Sequence, residues 1–280
     1  MQKVKFYLRS VYYIVMRWVV HKDYMTAYVP EYDLRFKFKT EDVVGRVLYK
    51  YQTFESGITR CFLGHIKPED DDVVLDVGAN IGWYSLVLGK HAPPSVRLFA
   101  FEPDPLNFQL LSDNVAMNQA KNITCVPKAV SDTSTTKTLY LYPSKNRGRH
   151  SLLPINEGEQ VEVAATTIDA FVEQQAIDVD RIKFMKIDVE GYEYFVLNGA
   201  HRVLSHIPYL HTEYSPVYMQ KGGVDARTFV ELLRGHQLMP HRIDEQGGLQ
   251  LLTDEQLLQL QKGANLLWAR EDLSASPVAQ

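Results

Sequence analysis

The sequence is poor in cysteine, in charge of one sign and in long apolar runs. Cys61 and Cys125 are the only cysteines among 280 residues, too few for a disulfide scaffold and in keeping with a reducing, cytoplasmic compartment. A formal net charge of −4 supplies no basic field, so nucleic-acid binding is not expected. The apolar stretch at residues 6–20 is interrupted by Arg9 and Arg17 and falls short of the roughly 20 apolar residues that span a bilayer. No small-residue cleavage site follows before His21 and Lys22, which argues against a signal peptide. The stretch reads as a basic amphipathic helix with Lys3, Lys5, Arg9 and Arg17 on its polar side. Such a helix either caps the domain or lies peripherally on a membrane surface.

Glycine is also missing where one ligand class would need it. Residues 73–85, VVLDVGANIGWYS, read as a buried strand, a tight loop and a helix start, the junction that faces the ligand crevice of an open parallel sheet. Gly78 and Gly82 can take positive φ and admit a ligand close to the backbone. A dinucleotide fingerprint requires G-x-G-x-x-G, but Asn80 stands at its middle glycine and Ser85 at its last. Asp76 at the strand end suits a cationic ammonium group better than a phosphate. The loop therefore favours an adenosyl amino acid over a pyrophosphate, and a nicotinamide-dependent oxidoreductase is the weaker alternative.

What is present is ordinary globular composition, 45% hydrophobic and 23% charged, enough for a sizeable core. Apolar runs at 96–101, 122–130, 182–187, 209–213, 238–243 and 264–269 alternate with helical patterns, including one long helix over 192–204. This predicts an α/β fold, a doubly wound, mostly parallel, Rossmann-like sheet of seven strands whose last strand inserts antiparallel beside the fifth. Residues 1–68 form an N-terminal helical and β extension, 69–272 the main domain with a β-rich insertion around 133–165, and 273–280 a frayed tail.

Acids gather at the predicted strand ends. Glu102 follows the second strand close to the roughly 20-residue offset at which an acid reaches ribose hydroxyls; capping the next helix is its plainer role. Ser131 and Asp132, leaving the third strand, can meet an adenine amine, although turn chemistry explains them as well. Asp188, Glu190 and Glu193 surround Gly191 at the fourth strand end, where a carboxylate can serve as general base, divalent-ion ligand or substrate clamp. No metal site is specifically indicated. Glu213 offers a second acid on the fifth strand, with His211 on the same face and deeper in the core. Arg147, Arg149 and His150 lie in a polar loop suited to an anionic or sugar substrate.

DVGANIG at 76–82, FEPDPLNF at 101–108, Asn114, KAVSD at 128–132, TTIDAF at 166–171, KIDVEGYE at 186–193, NGA at 198–200 and NLLW at 265–268 together resemble the FkbM-type S-adenosylmethionine-dependent methyltransferases of the class I fold. The resemblance covers roughly residues 45–270 and is specific in its ordered combination. It implies O-methylation of a hydroxyl on a sugar, glycan or natural product. By position it implies that Asp76, Gly78 and Asn80 hold the amino-acid half of the cofactor, Glu102 its ribose, and that Asp188 and Glu190 face the methyl-transfer site. Asp188, or Glu213 if the pocket orients it better, is expected to accept the acceptor's proton. The competing class is a non-catalytic nucleoside-binding module. A nucleic-acid methyltransferase is disfavoured by the absence of an Asn/Asp-Pro-Pro-Tyr element.

Overall fold

Strand residues Val73–Val77 are buried without exception, the near-continuous apolar pattern of a strand covered on both faces, and the sheet is built outward from them. The computed structural model describes residues 2–142, 147–155 and 158–274; of the tail expected over 273–280, residues 275–280 lie outside them, and Leu273 is buried. The N-terminal segment contains α1 (Gln2–Trp18), β1 (Tyr24–Val29), β2 (Leu34–Lys39), α2 (Val43–Tyr51) and α3 (Ser56–His65). Then come β3 (Val73–Val77), α4 (Trp83–His91), β4 (Arg97–Phe101), α5 (Pro105–Met117), β5 (Ile123–Val126), β6 (Ala129–Val130), β7 (Thr136–Tyr140), β8 (Gln160–Thr166) and α6 (Ile168–Gln174). The chain closes with β9 (Ile182–Ile187), α7 (Glu193–Asn198), α8 (His201–Leu204), β10 (Tyr209–Tyr214), α9 (Pro216–Lys221), α10 (Ala226–Gly235), β11 (Met239–Ile243), β12 (Leu249–Leu251), α11 (Asp254–Leu258) and β13 (Ala264–Ala269).

The main sheet has the order β12-β11-β13-β10-β9-β3-β4-β5. The pairs from β10 through β9, β3 and β4 to β5 are parallel, and β13 is antiparallel to both β10 and β11. The last strand thus sits beside the fifth as expected. An eighth strand, the short β12, extends the edge as a hairpin from β11, too brief to stand out as a periodic run. One buried cluster joins α6, α7, α8 and α10 to one face; the other joins α3, α4 and α5 to the opposite face.

Two elements differ from their sequence patterns for local reasons. The third strand stops at Val126, because Pro127 has no N–H for the ladder, and the chain restarts as β6 in a separate sheet ordered β6-β8-β7. The helix read over 192–204 divides into α7 and α8 around Gly199. A Cβ there would stand 2.3 Å from the Ser131 carbonyl oxygen, so the glycine lets the β6 exit pass against the helix pair.

The N-terminal segment is not a separate globule. Alternation in β1 and β2 turns Met25, Ala27, Val29, Leu34, Phe36 and Phe38 inward, into the same cluster as Trp83, Leu86 and Leu111. Two asparagines, Asn114 in α5 and Asn118 directly after it, stitch the backbone of β2 to the domain. Asn114 accepts from Lys37 N–H at 2.6 Å and donates to the Lys37 and Ile81 carbonyls at 3.1 and 2.9 Å. Asn118 accepts from Arg35 N–H at 2.8 Å and returns a bond to its carbonyl at 2.7 Å. The paired amides imitate a neighbouring strand. Asn114→Leu leaves buried backbone groups without partners, each worth about 1–3 kcal/mol, so urea unfolding should show a loss of roughly 2–4 kcal/mol; a loss under about 0.5 kcal/mol would refute the stitching role.

Candidate functional site

The carboxyl ends of β3, β4, β9 and β10 converge on a cavity of about 270 Å³. Gly78 makes that convergence possible. Its φ is 78°, and a Cβ would lie 2.0 Å from the Asp188 carbonyl oxygen, so a side chain would push the loops after β3 and β9 apart. Gly82 starts α4 at φ 92°, with no space for a Cβ nearer than 2.7 Å to Leu111 Cδ1. Between them Asn80 has φ 53°, a region that asparagine tolerates better than most residues.

Glu102 anchors this loop. Its Oε2 accepts from Asn80 N–H at 2.8 Å and its Oε1 from Asp104 N–H at 2.9 Å, while each oxygen keeps a second acceptor position. Burial pushes its carboxyl up to about 8, against the pull of those backbone donors. Asn80 Oδ1 is buried with no hydrogen-bond partner among the described residues, and both residues line the cavity.

Asp76 does something other than face the cavity. It is 1% exposed and is not part of the cavity lining. Ser85 Oγ donates to its Oδ2 at 2.5 Å, and Lys186 Nζ stands 3.3 Å from its Oδ1. The register pairs Asp76 directly with Lys186 on β9. Lys186 also donates to the Gly78 carbonyl at 3.2 Å, lies 3.5 Å from Asp188 Oδ2 and sits 5.3 Å from the Tyr84 ring centre. Burial opposes the ammonium charge, but Asp76, Asp188 and Glu55 outweigh it and raise the lysine above its ordinary value.

Above that floor the wall is acidic. Glu55, Glu102, Asp188, Glu190 and Glu213 line the cavity, against the lysines Lys128 and Lys186. Oxygens of Asp188, Glu190 and Glu213 lie within 4.8 Å of one another, and among the described residues this is the group spaced to hold a metal ion. Burial, then the Asp188 charge, pushes Glu190 up to about 8. Glu213 is raised by burial and by Asp188, Glu193 and Glu190. Glu193 is fully buried and raised by burial to about 7, although the Val189 and Gly191 N–H groups donate to its Oε1. Glu55 accepts from the Tyr84 hydroxyl at 2.5 Å and is also raised by burial. Glu55 and Glu190 hold φ of 42° and 53°, left-handed backbone that costs about 1–3 kcal/mol for such residues and collects at functional sites.

A second, more open recess begins where the cavity ends, lined by Arg149, Ser215 and Tyr218 and sharing Glu190 and Glu213 with it. Arg149 Nε lies 3.9 Å from Glu190 Oε2. His150 lines the inner cavity; the Arg147 side chain is outside the described residues. His211 is a buried neutral imidazole, its value lowered to about 3 by burial and by Lys186. Its Nε2 meets Asn265 Oδ1 at 3.0 Å, which fixes an amide in the cavity wall. Ser131 and Asp132 do not line the cavity. Ser131 Oγ donates to Asp132 Oδ1 at 2.8 Å and contacts the Tyr192 hydroxyl at 3.1 Å, and Lys137 Nζ reaches Asp132 at 3.3 Å. The strand end facing the cavity is Lys128–Val130 instead.

Sequence patterns alone assign no role to Lys186, Glu55, Tyr84 or Asn265, all of which line the cavity. Lys186 carries a usable signal, as one of two lysines, with Lys183, in the otherwise apolar run IKFMKI. Glu55 carries none, because it lies between helices and no periodicity marks it.

Residues 76–238 match the family model described as the Methyltransferase FkbM domain. The chain is similar to the hexuronic acid methyltransferase AglP of Haloferax volcanii, 28% identical over 209 residues that cover 75% of this chain and 79% of that one. It is also similar to the 31-O-demethyl-FK506 methyltransferase FkbM of Streptomyces tacrolimicus, 28% identical over 63% of this chain and 76% of the relative. The crystal structure of an FkbM methyltransferase from Methylobacillus flagellatus aligns at 19% identity and a TM-score of 0.48, over 79% of this chain and 49% of that one, so the chain spans about half of its length. With the family model covering more than half of its residues, the chain belongs to the FkbM methyltransferase family, and its cofactor is S-adenosylmethionine.

Proposed function

We propose that the chain transfers the methyl group to a hydroxyl of a sugar, glycan or natural-product acceptor, with Glu213 taking the hydroxyl proton. The observation that carries this reading is the acidic junction of the inner cavity and the outer recess, where Glu190 and Glu213 belong to both. The inner residues suit the cofactor. Glu102 has acceptor positions for the ribose hydroxyls, Asn80 Oδ1 is an orphaned acceptor beside them, and five carboxyls against two lysines favour a cation. When bound, S-adenosylmethionine supplies an electrophilic methyl on a sulfonium.

The protein's own work is then placement and proton removal. Asp188 is held by Lys186 at 3.5 Å, which fixes its carboxylate in place, so its role is to position. Among the described residues Glu213 has no such cation, and burial, followed by the charges of Asp188, Glu193 and Glu190, raises its basicity. A cationic ligand beside it favours the ionised form, so cofactor binding arms the base. Arg149 and Tyr218, which share a hydrogen bond, are placed to orient an acceptor in the outer recess. The names of the two relatives, a hexuronic acid methyltransferase and a 31-O-demethyl-FK506 methyltransferase, support a hydroxylated acceptor.

Glu213→Gln should lower turnover about 10²–10⁴-fold in a methyl-tritium transfer assay with hexuronic-acid glycans while calorimetry finds cofactor affinity within a few-fold; near-normal turnover would remove Glu213 as base. If EDTA abolishes turnover and magnesium restores it, Asp188, Glu190 and Glu213 serve as cation ligands rather than as a metal-free proton relay. The pH dependence has a definite sign. In the free protein Glu193, at about 7, and Glu102 and Glu190, at about 8, hold protons near neutrality. They ionise as pH rises, so affinity for the sulfonium should increase from about pH 6 to 7.5. S-adenosylhomocysteine, which lacks that charge, should show a smaller rise. A flat profile for both ligands would contradict the electrostatic account.

A further inference from the structure

Helix α1 presents to solvent a face that, among the described residues, no other element covers. Every exposed residue from 7 to 20 is apolar or aromatic, with Tyr7, Leu8 and Val19 each about two-thirds open. The helix is pinned by its opposite side. Tyr13 is buried and its hydroxyl donates to the Thr40 carbonyl, while Tyr13 and Phe6 pack on Tyr49 and Tyr51 of α2 at 6.1 and 5.1 Å. Arg9 and Arg17 are half-buried; Arg17 donates to the Tyr13 hydroxyl at 3.3 Å and lies 4.7 Å from the Trp18 ring.

Three observations say what covers this face. The first is its width. Residues 7, 11, 14 and 18 form one stripe and 8, 12, 15 and 19 a second beside it, broader than the two-in-seven seam that one partner helix buries. The second is charge. Lys3, Lys5, Arg9 and Arg17 are the only charged residues of α1, all basic, so a second copy laid against it would oppose like charges, whereas an anionic surface complements them. The third is composition, since Tyr7, Tyr12 and Trp18 are the side chains that sit with one end apolar and the other wet. Among the described residues no helix is long and apolar enough to cross a membrane.

We infer that α1 lies in the headgroup layer of an anionic lipid membrane with this face in the acyl boundary. The arrangement is independent of the methyl-transfer reading, but it bears on the cavity's setting. Helix α2, about 13 Å long at its nine residues, packs on α1 by its last turn, and Val43 and Val44 of its first turn line the cavity.

Full-chain protein should sediment with phosphatidylcholine vesicles containing phosphatidylglycerol, more weakly with phosphatidylcholine alone, and less as salt is raised. Brominated acyl chains should quench Trp18, and Trp18→Phe should abolish the quenching because Trp83 and Trp268 are buried. Val11→Glu with Ile14→Glu should weaken vesicle binding by roughly tenfold or more, the equivalent of leaving one such side chain unburied, with the unfolding midpoint and cofactor affinity unchanged. Failure to bind either vesicle, or binding without Trp18 quenching, overturns the inference. So does a dimer in light scattering without lipid that the double substitution converts to monomer, since the occupant would then be a second copy.

Discussion

A buried ammonium group holds the two halves of the site together. Lys186 Nζ touches a carboxylate from β3, a carboxylate from the end of β9 and the carbonyl of the glycine at the turn, all at the cavity floor. An ion taken out of water at this depth costs several kcal/mol unless it is paired and hydrogen-bonded on every side. Here Asp76, Asp188 and Gly78 meet that condition together, and the lysine ties neighbouring parallel strands at the point where their loops diverge. Gly78 is the steric counterpart of the same junction, because only hydrogen fits against the Asp188 carbonyl.

With Lys186 so engaged, much of its charge is spent at the cavity floor, and the other acids are left to repel one another. Glu102, Glu190, Glu193 and Glu213 are all raised, with burial as the largest cause. A pocket in that condition is deficient in positive charge, which a sulfonium nucleoside would supply under the proposed reading. Left-handed backbone at Glu55, Asn80 and Glu190 agrees with this view, since strained conformations persist where surrounding structure holds a side chain for a purpose other than stability.

Much of this was legible in the chain because it is local. The run VVLDVGANIG announces a buried strand and a glycine turn by residue type alone, and the position of Glu102 follows from strand ends that apolar runs reveal. Asp76 was legible in position but not in role. Its partner Lys186 lies far along the sequence and becomes a neighbour only through the register of β3 with β9. Ser131 and Asp132 were placed at the cavity by extending the third strand past Pro127, whereas the chain leaves the sheet there and pairs with β8. In α1 the amphipathic pattern was visible, yet its direction was not: the helix turns Tyr13 inward, holds its arginines at the flanks and leaves the apolar face outside.

The central claim is that the cavity recognises its cofactor as a cation completing an under-neutralised set of carboxyls. Calorimetry of S-adenosylmethionine binding near pH 7, repeated in buffers that differ in ionisation enthalpy, tests it directly. The account predicts that binding releases protons, because carboxyls held protonated in the free protein ionise beside the sulfonium. Tight binding with no net proton release, or with uptake, would contradict it.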